Sequence, residues 1–179
     1  MVYILLAPGF EEAETLVPAD LLRRAGAEVE LVSVMENPVL GSHSIAVAAD
    51  TSLDRVDLDR AEMIVLPGGG PGYKNLGKEP AVEKLVREAV RRGLWVAAIC
   101  AAPTLLGGWG LLEGKSAVCF PGMEAGLANA QAKMEQSVVV DGKIITGRAA
   151  GSAFDFGLAL IEALSGREAA EKVRAAVHY

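Results

Sequence analysis

The sequence predicts a three-layer α/β domain with a mainly parallel sheet, spanning residues 1–179. Short apolar runs alternate with longer segments in which apolar residues recur at helical spacing. No repeat, low-complexity stretch or linker divides the 179 residues, and 51% of them are hydrophobic. A chain of this length and composition can bury one core of ordinary size. We therefore expect a single domain that binds ligands beyond the carboxyl ends of its strands.

The first part of the chain predicts a strand–helix–strand unit followed by a small hairpin. Residues 2–7 are continuously apolar, which is typical of a buried strand. Residues 11–24 predict a helix, because carboxylates occupy its first turns and arginines its last. The alternating segment 27–34 predicts a second strand. Turn residues within 37–50 predict a hairpin added to the main sheet. No GxGxxG opens the helix, so a dinucleotide-binding fold has no support.

The rest of the chain continues the alternation of strands and helices. Further strands are predicted at residues 63–66, 94–99 and 116–120, and a hairpin from 134–140 and 143–146 around Asp141-Gly142. Further helices are predicted at 81–92, from Pro103 to about Leu112, at 122–129, at 152–164 and at 167–177. In the helix at 152–164, Phe154, Leu158 and Ile161 are expected to face inward. The glycine-rich segment 67–72 is predicted to be a loop at the carboxyl end of a strand.

The segment from Gly93 to Thr104 carries the strongest functional signal. Its apolar run ends at Cys100, two alanines follow, and Pro103 suits the first turn of a helix. Such a strand–Cys–helix junction lifts the side chain above the sheet edge and directs helix N-terminal amides towards it. These amides predict a lowered pKa and partial ionisation of the Cys100 thiol near neutrality. Taken alone, the segment leaves an inert core cysteine as an equal alternative.

Composition excludes several classes of function. The net charge of −6 offers no basic face for nucleic acid. The two cysteines lie in separate segments and fit neither a metal site nor a disulfide framework, so a reducing compartment is expected. The N-terminus lacks the basic start of a signal peptide, and no apolar run is long enough to span a membrane. We expect a cytoplasmic protein with no metal or cofactor.

Four stretches of the chain carry a family resemblance. They are Gly9-Phe10-Glu11-Glu12-Ala13-Glu14-Thr15, Leu66-Pro67-Gly68-Gly69, Ala97-Ala98-Ile99-Cys100-Ala101-Ala102-Pro103, and Thr146-Gly147-Arg148 leading into Ser152-Ala153-Phe154. These stretches occur in the same order as in the DJ-1/ThiJ/PfpI superfamily. The chain therefore resembles this superfamily, and most closely its DJ-1 branch. The resemblance implies a flavodoxin-like fold with a nucleophile elbow, and usually a homodimer, here expected through the first helix and the hairpin.

The same resemblance implies the roles of individual site residues. Cys100 corresponds to the reactive cysteine and Glu14 to a protonated acid that donates a hydrogen bond to its sulfur. Gly69 and Ala101 correspond to the residues whose amides form a small anion pocket, next to Gly68. Independently, burial near a thiolate would raise the pKa of Glu14 and keep it a donor. From the residues alone, Glu14 as a solvated helix-start carboxylate and the glycines as a plain turn remain alternatives.

The sequence departs from the family at the position of an active-site histidine. Many DJ-1 relatives carry this histidine where Phe120 stands here, and the protease-like branch carries one where Ala101 stands. Both histidines of this chain, His43 and His178, are expected to be exposed surface residues. A Cys–His dyad is therefore not evident, which disfavours peptide hydrolysis.

Phe120 itself and two further residues are accessory candidates. Cys119 lies next to Phe120 and is expected to be a core thiol, with a resolving cysteine as the alternative. Arg148 lies in a turn of small residues after the strand at 143–146.

Two functions follow from the resemblance. The first is a cofactor-independent glyoxalase or deglycase that acts on a small reactive carbonyl or glycated substrate through Cys100 and Glu14. The second is a non-enzymatic oxidative-stress sensor or protective protein that works through oxidation of Cys100. A glutamine-amidotransferase-like hydrolase is disfavoured, because no histidine lies between Cys100 and His178.

Overall fold

The computed structural model describes all residues, 1–179, and contains eleven strands and six α-helices. The strands are β1 (Val2–Leu6), β2 (Val29–Ser33), β3 (Val39–Leu40), β4 (Ala46–Val47), β5 (Thr51–Ser52), β6 (Met63–Leu66), β7 (Trp95–Ile99), β8 (Ser116–Ala117), β9 (Gln131–Ala132), β10 (Val138–Asp141) and β11 (Ile144–Gly147). The helices are α1 (Glu12–Arg24), α2 (Gly70–Lys78), α3 (Pro80–Arg91), α4 (Pro103–Gly108), α5 (Ala153–Ser165) and α6 (Arg167–Ala176). Short 3₁₀ turns lie at Leu53–Arg55, Glu124–Leu127 and Ala150–Ser152.

Seven strands form one sheet in the order β10-β11-β7-β6-β1-β2-β5. Every neighbouring pair is parallel except β10 and β11, which form an antiparallel hairpin at one edge. From β1 the chain first adds β2 and β5 on one side of the sheet, and then adds β6, β7 and β11 on the other side. The carboxyl ends of β1, β6 and β7 therefore lie beside the point where the strand order reverses. Ligands of doubly wound sheets bind at such points.

Helices cover both faces of the sheet and divide the core into two layers. One apolar cluster packs the sheet against α1, α5 and α6, and includes Leu22, Phe156 and Val173. The other packs it against α2, α3 and α4, and includes Leu76, Val86 and Leu106. The strands are therefore buried on both faces, which explains their continuous apolar runs. This arrangement confirms the predicted three-layer α/β fold. No helix combines the length and apolar character needed to cross a bilayer.

The small hairpin predicted within residues 37–50 is present, as β3 paired antiparallel to β4 outside the main sheet. It lies against the chain just before α1. The amide of Gly9 donates to the carbonyl of Leu40 at 2.7 Å, and that of Ser42 donates to the carbonyl of Phe10 at 2.8 Å.

Helix α2 was missing from the sequence-based prediction, which made residues 67–72 a loop. The loop ends at Gly69, whose φ of 100° only glycine adopts readily, and the helix begins at Gly70 with Pro71 in its first turn. Glycine is a poor helix former, so the composition hid the helix. Leu76, which is buried against the sheet, supplies the packing that holds it.

Several other predictions needed correction. The helix predicted from Pro103 to about Leu112 ends at Gly108, the helix predicted at 122–129 is only a 3₁₀ turn at Glu124–Leu127, and the strand predicted at 134–140 begins at Val138. The strand at 116–120 stops at Ala117 and pairs with β9 outside the main sheet, because the amides beyond it turn to other partners: Val118 donates to Thr146 Oγ1 and Phe120 to the carbonyl of Cys100. Phe154 does not face inward. It is 37% exposed and stacks on Tyr179 with ring centroids 4.9 Å apart, whereas Phe156 fills the core. The hairpin loop is shifted by one residue, since Asp141 still pairs with Ile144.

Candidate active site

Cys100 occupies a tight bend between β7 and α4. Its φ is 65°, a left-handed conformation that is rare for a residue with a side chain and costs about 1–3 kcal/mol. Two hydrogen bonds hold the bend: the amide of Cys100 donates to the carbonyl of Gly147 at 2.9 Å, and its carbonyl accepts from Phe120 at 2.7 Å. The side chain is half-buried, whereas Cys119 is fully buried. Strain held by neighbouring segments of the chain at a partly open thiol is typical of a functional site.

Glu14, at the beginning of α1, extends its carboxyl group towards the side chain of Cys100. It is 1% exposed, and its Oε2 accepts a hydrogen bond of 2.9 Å from the amide of Gly68. Its other oxygen, Oε1, is buried without a hydrogen-bond partner. Burial raises the pKa of Glu14 from 4.5 to about 7, although the neighbouring Cys100 thiol and the Gly68 amide oppose the shift. The solvated helix-start carboxylate considered from the sequence is therefore not what the structure contains.

Gly68 marks the place where the acid and the thiol meet. A Cβ atom at Gly68 would lie 2.5 Å from Glu14 Oε2, 2.6 Å from Cys100 Cβ and 3.1 Å from Cys100 Sγ. All three separations are too short for a methyl group in ordinary contact. Only glycine lets the carboxyl group and the sulfur approach each other across the end of β6.

The amides of Ala101 and Gly69 both lower the pKa of the Cys100 thiol and so favour its ionised form. Gly69 is placed by the turn before α2, and Ala101 directly follows the bend. These two donors form a small anion-binding corner of the kind that stabilises an oxyanion or an oxidised sulfur.

The predicted lowering of the Cys100 pKa does not hold while Glu14 carries the negative charge. Burial, followed by the negative charge of Glu14, raises the pKa of the thiol to about 12. The amides of Ala101 and Gly69 act in the predicted direction, but their effect is smaller. Glu14 and Cys100 are therefore a coupled pair: near neutrality, the first negative charge strongly opposes a second.

The three accessory candidates lie in the segments that flank the pair. Phe120 is 45% exposed, and its amide is bonded to the carbonyl of Cys100. Cys119 is buried, donates weakly to the carbonyl of Phe120, and has its pKa raised to about 11 by burial, all of which fit a core thiol. Arg148 is half-buried just beyond β11, and its amide donates to the carbonyl of Ser137.

Neither histidine hydrogen-bonds to Cys100 or Glu14. His178 is exposed near the C-terminus. The side chain of His43 is 68% exposed but lies 2.9 Å from Glu12 Oε2, an ion-pair distance that the sequence did not reveal. A cleft of about 650 Å³ between α3 and residues 51–58 contains neither Cys100 nor Glu14, so it is not part of this site.

The chain is similar to proteins of known family and known structure. Residues 1–163 match the DJ-1/PfpI family. Protein dj-1beta of Drosophila melanogaster is 38% identical over 95% of this chain and 92% of its own. Its crystal structure superposes with a TM-score of 0.94 over 98% of this chain and 96% of that chain.

Two further relatives differ in length and in name. Protein DJ-1 homolog B of Arabidopsis thaliana is 42% identical over 96% of this chain, which spans 40% of that protein. A Caenorhabditis elegans protein named as a glutathione-independent glyoxalase is 30% identical over 92% of this chain and 89% of its own. The fold, the sequence match and the strained cysteine lead to one conclusion: the chain belongs to the DJ-1/PfpI family.

Proposed function

We propose that this protein converts small 2-oxoaldehydes, such as methylglyoxal, into 2-hydroxy acids without an added cofactor. The observation that carries the proposal is the meeting of a buried carboxyl group and a strained, half-buried thiol over Gly68. The glyoxalase name of the Caenorhabditis elegans relative supports the same class of reaction. A glycated substrate would present a related carbonyl carbon to the same thiol.

The reactive state is a Cys100 thiolate beside a protonated Glu14. The sulfur is partly exposed, and the amides of Ala101 and Gly69 favour its ionised form, whereas the carboxyl group accepts one amide hydrogen bond and is almost fully buried. An ionised carboxylate would leave its unpartnered Oε1 charged in a dry environment. Moving the proton from sulfur to Glu14 also removes the charge that raises the pKa of the thiol.

The chemistry needs only the substrate, water and these two side chains. The sulfur adds to the aldehyde carbon, and the resulting oxyanion lies near the amides of Gly69 and Ala101. Protonated Glu14 donates its proton to this oxyanion and becomes a carboxylate. The carboxylate then removes the proton from the same carbon and returns it to the neighbouring ketone carbon, while the hydroxyl proton passes to the ketone oxygen. The first carbon is thereby oxidised to a thioester and the second reduced to an alcohol, so no external redox partner is required. Water then cleaves the thioester, releasing the 2-hydroxy acid and restoring the thiol.

Oxidation sensing through Cys100 is the second candidate function. Of the two thiols, only that of Cys100 is open to solvent, and the amides of Gly69 and Ala101 suit an oxygen added to its sulfur by a peroxide. A homodimer is proposed for either function. The exposed apolar side chains of Leu16 on α1 and of Leu40 and Ile45 in the hairpin support an interface on that side.

Lactate formation from methylglyoxal by the purified protein tests the enzymatic proposal. The wild type is expected to form lactate, and Cys100→Ser to lose about 100-fold or more of that rate, because the serine hydroxyl is a much weaker nucleophile. Cys119→Ser is the matched control and should keep the rate, since that thiol is buried away from solvent. Equal rates for the wild type and Cys100→Ser, whether both are zero or both are substantial, would contradict the proposal. If both are zero, oxidation sensing remains as the function.

A further inference from the structure

We propose that the cleft of about 650 Å³ between α3 and residues 51–58 binds a small apolar carboxylic acid, whose carboxylate pairs with Lys84. The volume falls within the range of about 300–1,000 Å³ that is usual for small-molecule sites. The cleft shares no residue with the Cys100 site, and its ligand is distinct from the 2-oxoaldehyde substrate.

The cleft opens where the helix layer on one face of the sheet ends. On this face α2 and α3 pack against β1, β6 and β7, whereas Ser33 and Ser52, at the ends of β2 and β5, border the cleft. Helix α1 and the β3–β4 hairpin pack into the apolar cluster of the opposite face, the hairpin through Val39 and Val47. A homodimer formed through α1 and the hairpin therefore leaves the cleft accessible.

Apolar side chains line most of the cleft. Five of them pack on the core below and are only half-buried: Val34, Leu53, Val56, Leu58 and Leu85. Met35 lies beside them and is 63% exposed. Concave apolar surface in contact with water is typical of a ligand site, because a ligand that covers it releases that water. The lining therefore suits a ligand with an apolar body.

Lys84 supplies the one lysine or arginine side chain of the lining. The two carboxylates near it on α3 are already paired with arginines. Glu83 pairs with Arg87 at 2.7 Å. Glu88 pairs with Arg91 at 2.6 Å. The ammonium group of Lys84 is left without an ion pair or hydrogen bond to the chain, so it is free to bind an anionic group of a ligand.

The remaining carboxylates of the lining are also engaged. Asp54 accepts a hydrogen bond of 2.6 Å from Ser52 and interacts with the charge of Arg55. Glu79 caps α3, where it accepts a hydrogen bond of 3.3 Å from the amide of Ala81. A carboxylate that enters the cleft therefore meets an unpaired positive charge, whereas a cationic ligand would be repelled by it.

Calorimetric titration of the full chain with two matched probes tests the site. 1-Naphthylacetate combines an apolar ring system with a carboxylate, and 1-naphthylacetamide has nearly the same shape without the charge. We expect one saturable 1-naphthylacetate site per chain. The amide should bind at least about 3-fold more weakly, which is the effect of an ion pair at an exposed lysine.

Lys84→Met removes the charge and keeps an apolar stem, so it should make the two probes bind equally. Lys74→Met, at an exposed position of α2 outside the cleft, is the matched control and should keep the difference between them. Absence of saturable binding would overturn the proposal, as would a preference for the carboxylate that survives in Lys84→Met.

Methyl resonances of the methionines locate the bound probe in the wild type. The ε-methyl resonance of Met35 should shift with 1-naphthylacetate. That of Met123 should not, because Met123 belongs to the segment that follows Phe120 beside Cys100. A shift of Met123 without one of Met35 would place the probe near Cys100 and contradict the proposal. None of these measurements depends on turnover of methylglyoxal.

Discussion

Gly68→Ala is expected to lower lactate formation from methylglyoxal by about 100-fold or more, because displacing a reacting group by about 1 Å can cost that much. The added methyl group would stand 2.5 Å from Glu14 Oε2 and 3.1 Å from Cys100 Sγ. Neither neighbour can retreat far: Glu14 is enclosed in the core, and the bend at Cys100 is bonded to both Gly147 and Phe120. The substitution must separate the carboxyl group from the sulfur or shift the end of β6.

Gly70→Ala is the matched control for this substitution. It adds the same methyl group two residues further along, where no atom lies within 4 Å of the new Cβ. Gly70 begins α2, so alanine there should keep or slightly raise stability. Initial rates and thermal unfolding should be measured for both variants, since overpacking at Gly68 also costs about 1–3 kcal/mol. A folded Gly68→Ala protein as active as Gly70→Ala would show that close approach of the pair is not required.

Glu14→Gln is expected to lower lactate formation by about 100- to 10,000-fold, the usual contribution of a positioned proton carrier. Glutamine can still accept the Gly68 hydrogen bond and can donate its NH₂ group to the sulfur. It cannot move a proton between the two substrate carbons. It also removes the charge that raises the pKa of Cys100, so alkylation of the thiol by iodoacetamide at neutral pH should be equal to that of the wild type or faster.

In Glu14→Gln, turnover of methylglyoxal should fall while alkylation of Cys100 should not. This difference makes the prediction specific to proton transfer by Glu14. Asp20→Asn, which neutralises an exposed carboxylate on the same helix, serves as the control and should change neither rate. If Glu14→Gln slowed alkylation as much as turnover, Glu14 would be needed to ionise the thiol rather than to carry protons. Unchanged turnover would remove Glu14 from the mechanism.

Local sequence patterns were enough to predict the layers of the fold and the position of Cys100. An apolar run that ends at Cys100 and is followed by Pro103 specifies a strand, a bend and a helix without reference to the rest of the chain. Helix α2 was missed because its glycines have low helix propensity, which the packing of Leu76 overrides.

Features that depend on distant parts of the chain were harder to predict. The role of Glu14 required the family resemblance, since 54 positions separate Glu14 from Gly68, whose amide binds it. The pairing of His43 with Glu12 spans 31 positions and has no local signal. Two effects on the pKa of Cys100 were missed for the same reason: helix amides can be inferred from the sequence, but burial and the charge of a neighbouring acid cannot.

The central claim is that the sulfur of Cys100, and not the carboxyl group of Glu14, carries the charge of the pair near neutrality. The most direct test is the ultraviolet absorbance of the thiolate, measured as a function of pH. The absorbance of Cys100→Ser is subtracted from that of the wild type, so that only the signal of Cys100 remains. The pair of Glu14 and Cys100 first ionises at a pH of about 7. The account predicts that the absorbance that depends on Cys100 appears as the pH rises through this value. That is below the ordinary thiol value of about 8.5. If no such absorbance appeared until pH approached about 12, the raised pKa of the thiol, the charge would reside on Glu14 and the claim would be contradicted.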